Sequence, residues 1–203
     1  MTRRSIFVLP LLTALLATTL GLGAVGTVGA NIVGTVDVTG LSSHGGAIVY
    51  VQQVQGAFAP SAARMDQQKM EFVPHVLPVT IGTTVTFLNS DSTPHFVFTP
   101  DYEKFVLGAE RPGEGKDRTF DKCVKFPCVY TVLCPMHAEM EGFVVVLQNP
   151  FFAVSDKDGR YTIEHVPEGK YSIGVWHPTL KGRAEPVTVT AGDPIMLDFK
   201  LTK

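Results

Sequence analysis

The feature that most limits how this chain can fold is the spacing of its apolar residues. Short β-branched or aromatic runs recur from residue 32 onward, separated by Gly, Pro, Asn and Asp. No stretch sustains the 3.6-residue period of an amphipathic helix. The alternation predicts strands over 32–38, 47–53, 69–72, 76–81, 84–89, 95–99, 119–120, 129–134, 142–147, 160–165, 170–176, 186–190 and 195–201. Strands this short and regular predict an all-β chain built of sandwiches. Residues 101–116, with Gly108, Pro112, Gly113 and Gly115, read as a long loop with at most one helical turn.

Residues 1–30 stand apart. They hold Arg3 and Arg4, an apolar run from Ile6 to Val28 and no acidic residue, and they end in Val28-Gly29-Ala30. Small residues there suit a signal peptidase, so residues 1–30 read as a signal peptide cleaved after Ala30. The alternative is an uncleaved N-terminal anchor, against which Pro10 and the cluster Thr18, Thr19, Gly21 and Gly23 count. Either way the folded part is expected in the periplasm or outside the cell. The Arg3-Arg4 pair leaves general and twin-arginine export both open. No other apolar run approaches the ~18 residues a membrane span needs.

The whole chain has 17 basic and 19 acidic residues. Removing the leader removes two arginines and no acid, so the remainder is more acidic still, which excludes a strongly basic nucleic-acid surface. Three cysteines remain, Cys123, Cys128 and Cys134. An oxidising compartment favours pairing. Three cannot all pair within one chain.

The chemistry concentrates in Cys134-Pro135-Met136-His137-Ala138-Glu139-Met140. It offers a thiolate, an imidazole and a thioether in C-x2-H-x2-M spacing, between two predicted strands, hence on a tight loop at one end of a sandwich. A second imidazole, His95, follows the turn Asn89-Ser90-Asp91-Ser92-Thr93-Pro94. Two histidines and one cysteine with a weak axial methionine describe a blue-copper electron-transfer site. Soft sulfur ligands suit Cu(I), and imidazole suits both oxidation states. Zinc is the rival ion for Cys and His, but a thioether serves it poorly. Glu139 and Glu141 flank Met140, so a shifted loop would offer an axial carboxylate instead.

These segments resemble the cupredoxins. Met70-Glu71-Phe72-Val73-Pro74, then Val79 to Asp91 with its G-x-x-V-x-F-x-N-x-D strand, then Pro94-His95, then Cys134 to Met140 follow that family's order over roughly residues 61–148. The short ligand loop is most similar to the amicyanin type. The resemblance implies a Greek-key β-sandwich binding one copper ion, Cu(II)/Cu(I), through His95, Cys134, His137 and Met140. It also implies a partly exposed second histidine, with a redox partner docking on the apolar patch around His137, Pro135 and Met136.

Cys123 and Cys128 form a C-x4-C pair that departs from the ordinary cupredoxin pattern. In an exported chain a local disulfide is the favoured reading; two free thiols, as a second metal site, are the alternative. Cys128 and Cys134 share strand parity six residues apart, about 20 Å if the strand is unbroken, too far to bond. His44, His75, His165 and His177 take surface or hydrogen-bonded roles by default. Asp156-Lys157-Asp158-Gly159 reads as a hairpin turn rather than a calcium loop.

The tail holds Val154 to Ile163, Val166-Pro167-Glu168-Gly169-Lys170-Tyr171-Ser172-Ile173 and Trp176-His177-Pro178. It resembles the carboxypeptidase regulatory-like (transthyretin-like) β-sandwich. Ile32-Val33-Gly34-Thr35-Val36 and Gly45-Gly46-Ala47-Ile48-Val49-Tyr50-Val51 resemble the opening two strands of that module. The expected organisation is therefore a cupredoxin domain over 57–149 inserted into a regulatory-like sandwich made of 31–56 and 150–203. The alternative gives 32–54 to the cupredoxin and leaves the tail as an appendage.

Nothing resembles a catalytic triad, a P-loop or a dinucleotide fingerprint, so no enzymatic activity is expected. The leading function is an exported mononuclear blue-copper protein carrying single electrons between redox partners. The alternatives are a periplasmic copper carrier and a red-copper enzyme with a carboxylate axial ligand.

Overall fold

The computed structural model describes residues 29–40, 44–101 and 103–203. Among these residues the regular structure is all strand, and no helix is long and apolar enough to cross a membrane. The signal-peptide reading falls outside the described residues except at its end, where Ala30 opens the first strand and is buried opposite Val166.

Four sheets form. The first has β4 (Glu71–Val73), β3 (Ala62–Gln68), β6 (Thr83–Asn89) and β9 (Gly115–Phe120) in that order. The second has β5 (Val76–Thr80), β11 (Glu141–Leu147), β10 (Cys128–Leu133), β7 (His95–Thr99) and β8 (Phe105–Glu110). The third has β12 (Phe152–Val154), β2 (Ile48–Val51), β14 (Gly169–Trp176) and β15 (Arg183–Val189). In the fourth, β1 (Ala30–Val38) lies between β13 (Arg160–Val166) and β16 (Ile195–Met196), and it also pairs with β17 (Phe199–Leu201).

Side-chain alternation explains the stacking of these sheets. In β6 and β10 every second residue is buried, and Val85, Phe87, Tyr130 and Val132 meet in the core between the first two sheets. Strand β11 differs, because nearly all of it is buried. Its Val144 and Val146 join that core, while Phe143, Val145 and Leu147 point the other way and pack with Ile48, Tyr50 and Val76. A continuous apolar run is what a strand covered on both faces requires. Strand β2 is the matching case: Ile48 and Tyr50 face β11, whereas Val49 and Val51 enter a third core with Ile32, Ile163 and Ile173. The outcome is two sandwiches joined back to back by an apolar seam, in which Phe143 meets the ring of Trp176 at 5.6 Å.

Amides clamp the two stretches of chain that pass between the sandwiches. Gln148 accepts from Val54 N at 3.0 Å and donates to Val54 O at 3.1 Å, and Asn149 donates to Val51 O at 2.8 Å. Strands β1 and β2 find all their partners after residue 151, on β12 to β17.

Several expectations need correction. Residues 101–116 are not a long loop: β8 and the start of β9 lie there, and the glycines serve turns and a bulge. Gly113 (φ 80°) sits in the turn between them, and Gly108 (φ 79°) lies opposite the register shift at Val97/Phe98. The expected strand over 69–72 is divided: Lys69 and Met70 form a left-handed turn (φ 55° and 62°) that returns β3 into β4. The expected strand over 195–201 is two short strands, both parallel to β1. Asp156–Gly159 is no hairpin, since β12 and β13 belong to different sheets. It is a corner, in which Asp156 Oδ1 accepts the N–H groups of Asp158 and Arg160.

Cys123 and Cys128 are bonded to each other, and Cys134 is a free, buried thiol. The bridge closes a short loop that leads into β10. Replacing both cysteines by serine is expected to lower stability by about 2 kcal/mol, on chain-entropy grounds. Urea unfolding of the two proteins checks this.

Candidate metal centre

The inward parity of β10 runs Cys128, Tyr130, Val132 and continues to Cys134, which projects into the end of the first sandwich. His95 opens β7, next to β10 in the same sheet, and is fully buried. The loop between them and β11 is two tight turns. His137 N donates to Cys134 O at 3.3 Å, Met140 N donates to His137 O at 3.0 Å, and Cys134 N donates to Met140 O at 3.2 Å. This folding returns His137 over Cys134 and turns Met140 inward.

Three of the four expected ligands converge. His95 Nδ1 and His137 Nδ1 are 3.1 Å apart, and Cys134 Sγ lies 3.9 Å from the first and 3.6 Å from the second. A point equidistant from the three atoms lies about 2.1 Å from each, close to the ~2.0–2.3 Å of metal–imidazole and metal–thiolate bonds. The donor set and spacing therefore fit a metal ion, and one soft thiolate with two imidazoles fits copper. His137 is half-buried, unlike His95 and Cys134. Met140 is buried in the same core as Cys134, whereas Glu139 and Glu141 are exposed. Both flanking carboxylates thus lie on the outside of the loop. The remaining histidines stay out of the cluster. His75 Nδ1 donates to Glu141 O (3.0 Å), His44 accepts from Val38 N (3.0 Å), and His177 accepts from Thr179 N (3.2 Å).

Polar residues around the cluster were not expected from sequence. Asp91 Oδ2 is 2.8 Å from His95 Nε2, so that ring holds its proton on Nε2 and turns a bare Nδ1 toward Cys134. The same carboxylate accepts from Lys69 N at 2.5 Å and Met70 N at 2.8 Å. Desolvation works against its charge, but the Met70 and Lys69 amides and the His95 ring hold the Asp91 carboxyl below the ordinary range. Its place four residues before His95, in a polar turn, is the one sequence signal that points to it.

Glu110, opposite His95 on β8, is fully buried and accepts from Gln67 Nε2 at 2.5 Å. Burial pushes its carboxyl up to about 7, against the pull of Gln67 and Lys116. An unfolded glutamate titrates near ~4.3. The folded protein therefore keeps a proton that the unfolded chain has lost. The stability tied to that proton is complete below about 4.3 and is lost as pH rises through about 7. Glu110→Gln is expected to flatten this loss and to gain on the order of 2 kcal/mol at pH 8. Urea unfolding of the metal-free protein at pH 5 and pH 8 measures it.

A family model for the carboxypeptidase regulatory-like domain matches residues 131–202, from within β10 to just past β17. That match covers about a third of the chain. It takes in β12 to β17, which share their sheets with β1 and β2, and also β11, the strand buried on both faces.

Solved structures resemble part of the chain. A copper-containing nitrite reductase of Thermus scotoductus is 28% identical with a TM-score of 0.40, over 49% of this chain and 25% of its own. The chain thus spans a quarter of that enzyme's length. A purple cupredoxin of Nitrosopumilus maritimus is 25% identical (TM-score 0.36), over 41% of this chain and 98% of its own. A reduced amicyanin variant is 28% identical (TM-score 0.37), over 42% of this chain and 81% of its own. No curated protein matches the chain.

Proposed function

We propose that this chain is an exported electron carrier with one copper ion held by His95, Cys134 and His137, and with Met140 as the weak axial ligand. The observation that carries the reading is the convergence of one thiol sulfur and two imidazole nitrogens within 4.8 Å of one another, walled by a rigid β core. Copper would supply a one-electron couple. Each residue has a separate task. Cys134, just past the end of β10, would bind the ion through its sulfur. His95, locked by Asp91, offers one nitrogen in a fixed direction. His137 links the buried cluster to the surface, and Pro135 and Met136 beside it are exposed. That surface is where a redox partner would dock. Because paired strands and tight turns hold the donors close together, little rearrangement would accompany a change of one electron.

The inward Met140 and outward Glu139 and Glu141 favour a thioether over a carboxylate, and so a carrier over a red-copper enzyme. The cupredoxin-like unit is taken as residues 57–149, set into a regulatory-like unit of 31–56 and 150–203 that acts as its mount. The apolar leader and the Cys123–Cys128 bond support export to an oxidising compartment. Met136, 48% exposed on the ligand loop, supports a second reading as a copper carrier to another protein.

Reconstitution with Cu(II) tests the first reading. An intense thiolate-to-copper band with narrow copper hyperfine splitting is expected in visible and EPR spectra, and its absence from the intact protein overturns the proposal. Slow loss of metal to a Cu(I) chelator separates the electron carrier from a copper carrier, which would release it quickly.

A further inference from the structure

The proposed electron transfer uses Asp91 only as an anchor for His95, yet its carboxylate gathers three N–H donors beside the cluster. These donors are Lys69 N, Met70 N and His95 Nε2. Its own N–H is tied to Asn89 Oδ1 at 2.9 Å, and Asn89 Nδ2 donates to Thr93 O and Glu110 O at 2.8 Å each. The loop before His95 is thus braced from both sides. Lys69 and Met70 are consecutive non-glycine residues in left-handed conformation, which strains the turn. Their two amides converge on Asp91.

We infer that Asp91 is a positioning residue of the metal centre, which fixes the His95 ring, raises the donor strength of its Nδ1 and joins the Lys69-Met70 turn to the site. The inference rests on the copper reading of the cluster. A carboxylate behind a ligating imidazole sets its tautomer and makes it a better base. The negative charge favours the more highly charged ion, so Asp91 holds the reduction potential down. An amide has one acceptor oxygen for three donors and no charge, so Asn at this position loses both effects while keeping the volume.

In Asp91→Asn, Cu(II) affinity is expected to fall about 10–100-fold. Cu(I) affinity should fall less, so the potential rises. A tenfold difference between the two oxidation states corresponds to about 59 mV for a one-electron couple. Asp91→Glu, which restores the charge, should bring the potential back toward that of the unaltered protein.

A folded Asp91→Asn protein with unaltered affinity and potential overturns the inference. So do equal shifts in Asp91→Asn and Asp91→Glu, which would indicate packing alone. If Asp91→Asn fails to fold, nitrogen-15 spectra of the metal-free, unaltered protein decide. His95 is expected to be protonated on Nε2, and the opposite tautomer overturns the inference. Failure of the copper reading is separable, because it appears as a missing thiolate band in the unaltered protein before any variant is made.

Discussion

Cys134→Ser protein mixed with Cu(II) is expected to lose the intense visible band by at least about an order of magnitude, while retaining a weak, broad copper signal. The reasoning is chemical rather than steric. Serine nearly matches cysteine in size, and position 134 is buried at the end of a paired strand, so the sandwich should fold. The two imidazoles stay 3.1 Å apart and still bind Cu(II). What disappears is the soft, easily oxidised sulfur from which charge moves to the metal. A neutral hydroxyl does not replace it. Absorption and EPR spectra of the two proteins at equal copper loading give the comparison. An intense band that survives in Cys134→Ser would mean that another group is the chromophoric ligand.

The second large effect concerns the seam. Phe143→Ala should destabilise the protein by about 3–5 kcal/mol, because the ring is buried against Trp176 and His75 and nothing nearby is free to fill the space. For a chain of this size that corresponds to a fall in Tm on the order of 10 °C. The loss should fall on both sandwiches together. Trp176 is the only tryptophan in the chain and stands in the third sheet, so its fluorescence reports one sandwich. The copper band reports the other. Thermal unfolding of Phe143→Ala followed by both signals should give one coincident midpoint. Tryptophan emission that changes well before the copper band fades would mean that the seam does not couple the two halves.

Much of the candidate site was legible because its signal is local. Cys134, His137 and Met140 lie within seven residues, and strand parity alone directs Cys134 inward. His95 was legible from the turn that precedes it. The surrounding polar shell was not, since its partners are brought together only by sheet pairing. Gln67 reaches Glu110 across 43 residues, and Lys69 reaches Asp91 across 22. Strand β3 was missed for a related reason. Ala-Ala-Arg-Met-Asp-Gln-Gln lacks β-branched residues, and its buried Asp66 is stabilised by Arg64, Gln68 and Ser90 rather than by apolar contact. Its parallel pairing to β6 supplies what propensity does not. Strands β8 and β9 were obscured by glycines that serve turns and a bulge. The all-β architecture was legible throughout, because β-branched alternation needs no long-range information.

The amide clamp between Val51–Val54 and Gln148–Phe151 has a consequence for the order of events in folding. Its hydrogen bonds join residues 94 to 98 apart in sequence. Closing so large a loop carries an entropic cost that must be met before the contacts repay it. The half that carries the candidate metal centre can complete its own sheets from residues 62 to 147. Once it has done so, the chain ends it leaves are already side by side, and the remaining search is short. Strands β1 and β2, though earlier in the chain, wait with open edges until their partners among β12 to β17 arrive. The half with the candidate metal centre is in this sense also the template on which its own support is assembled.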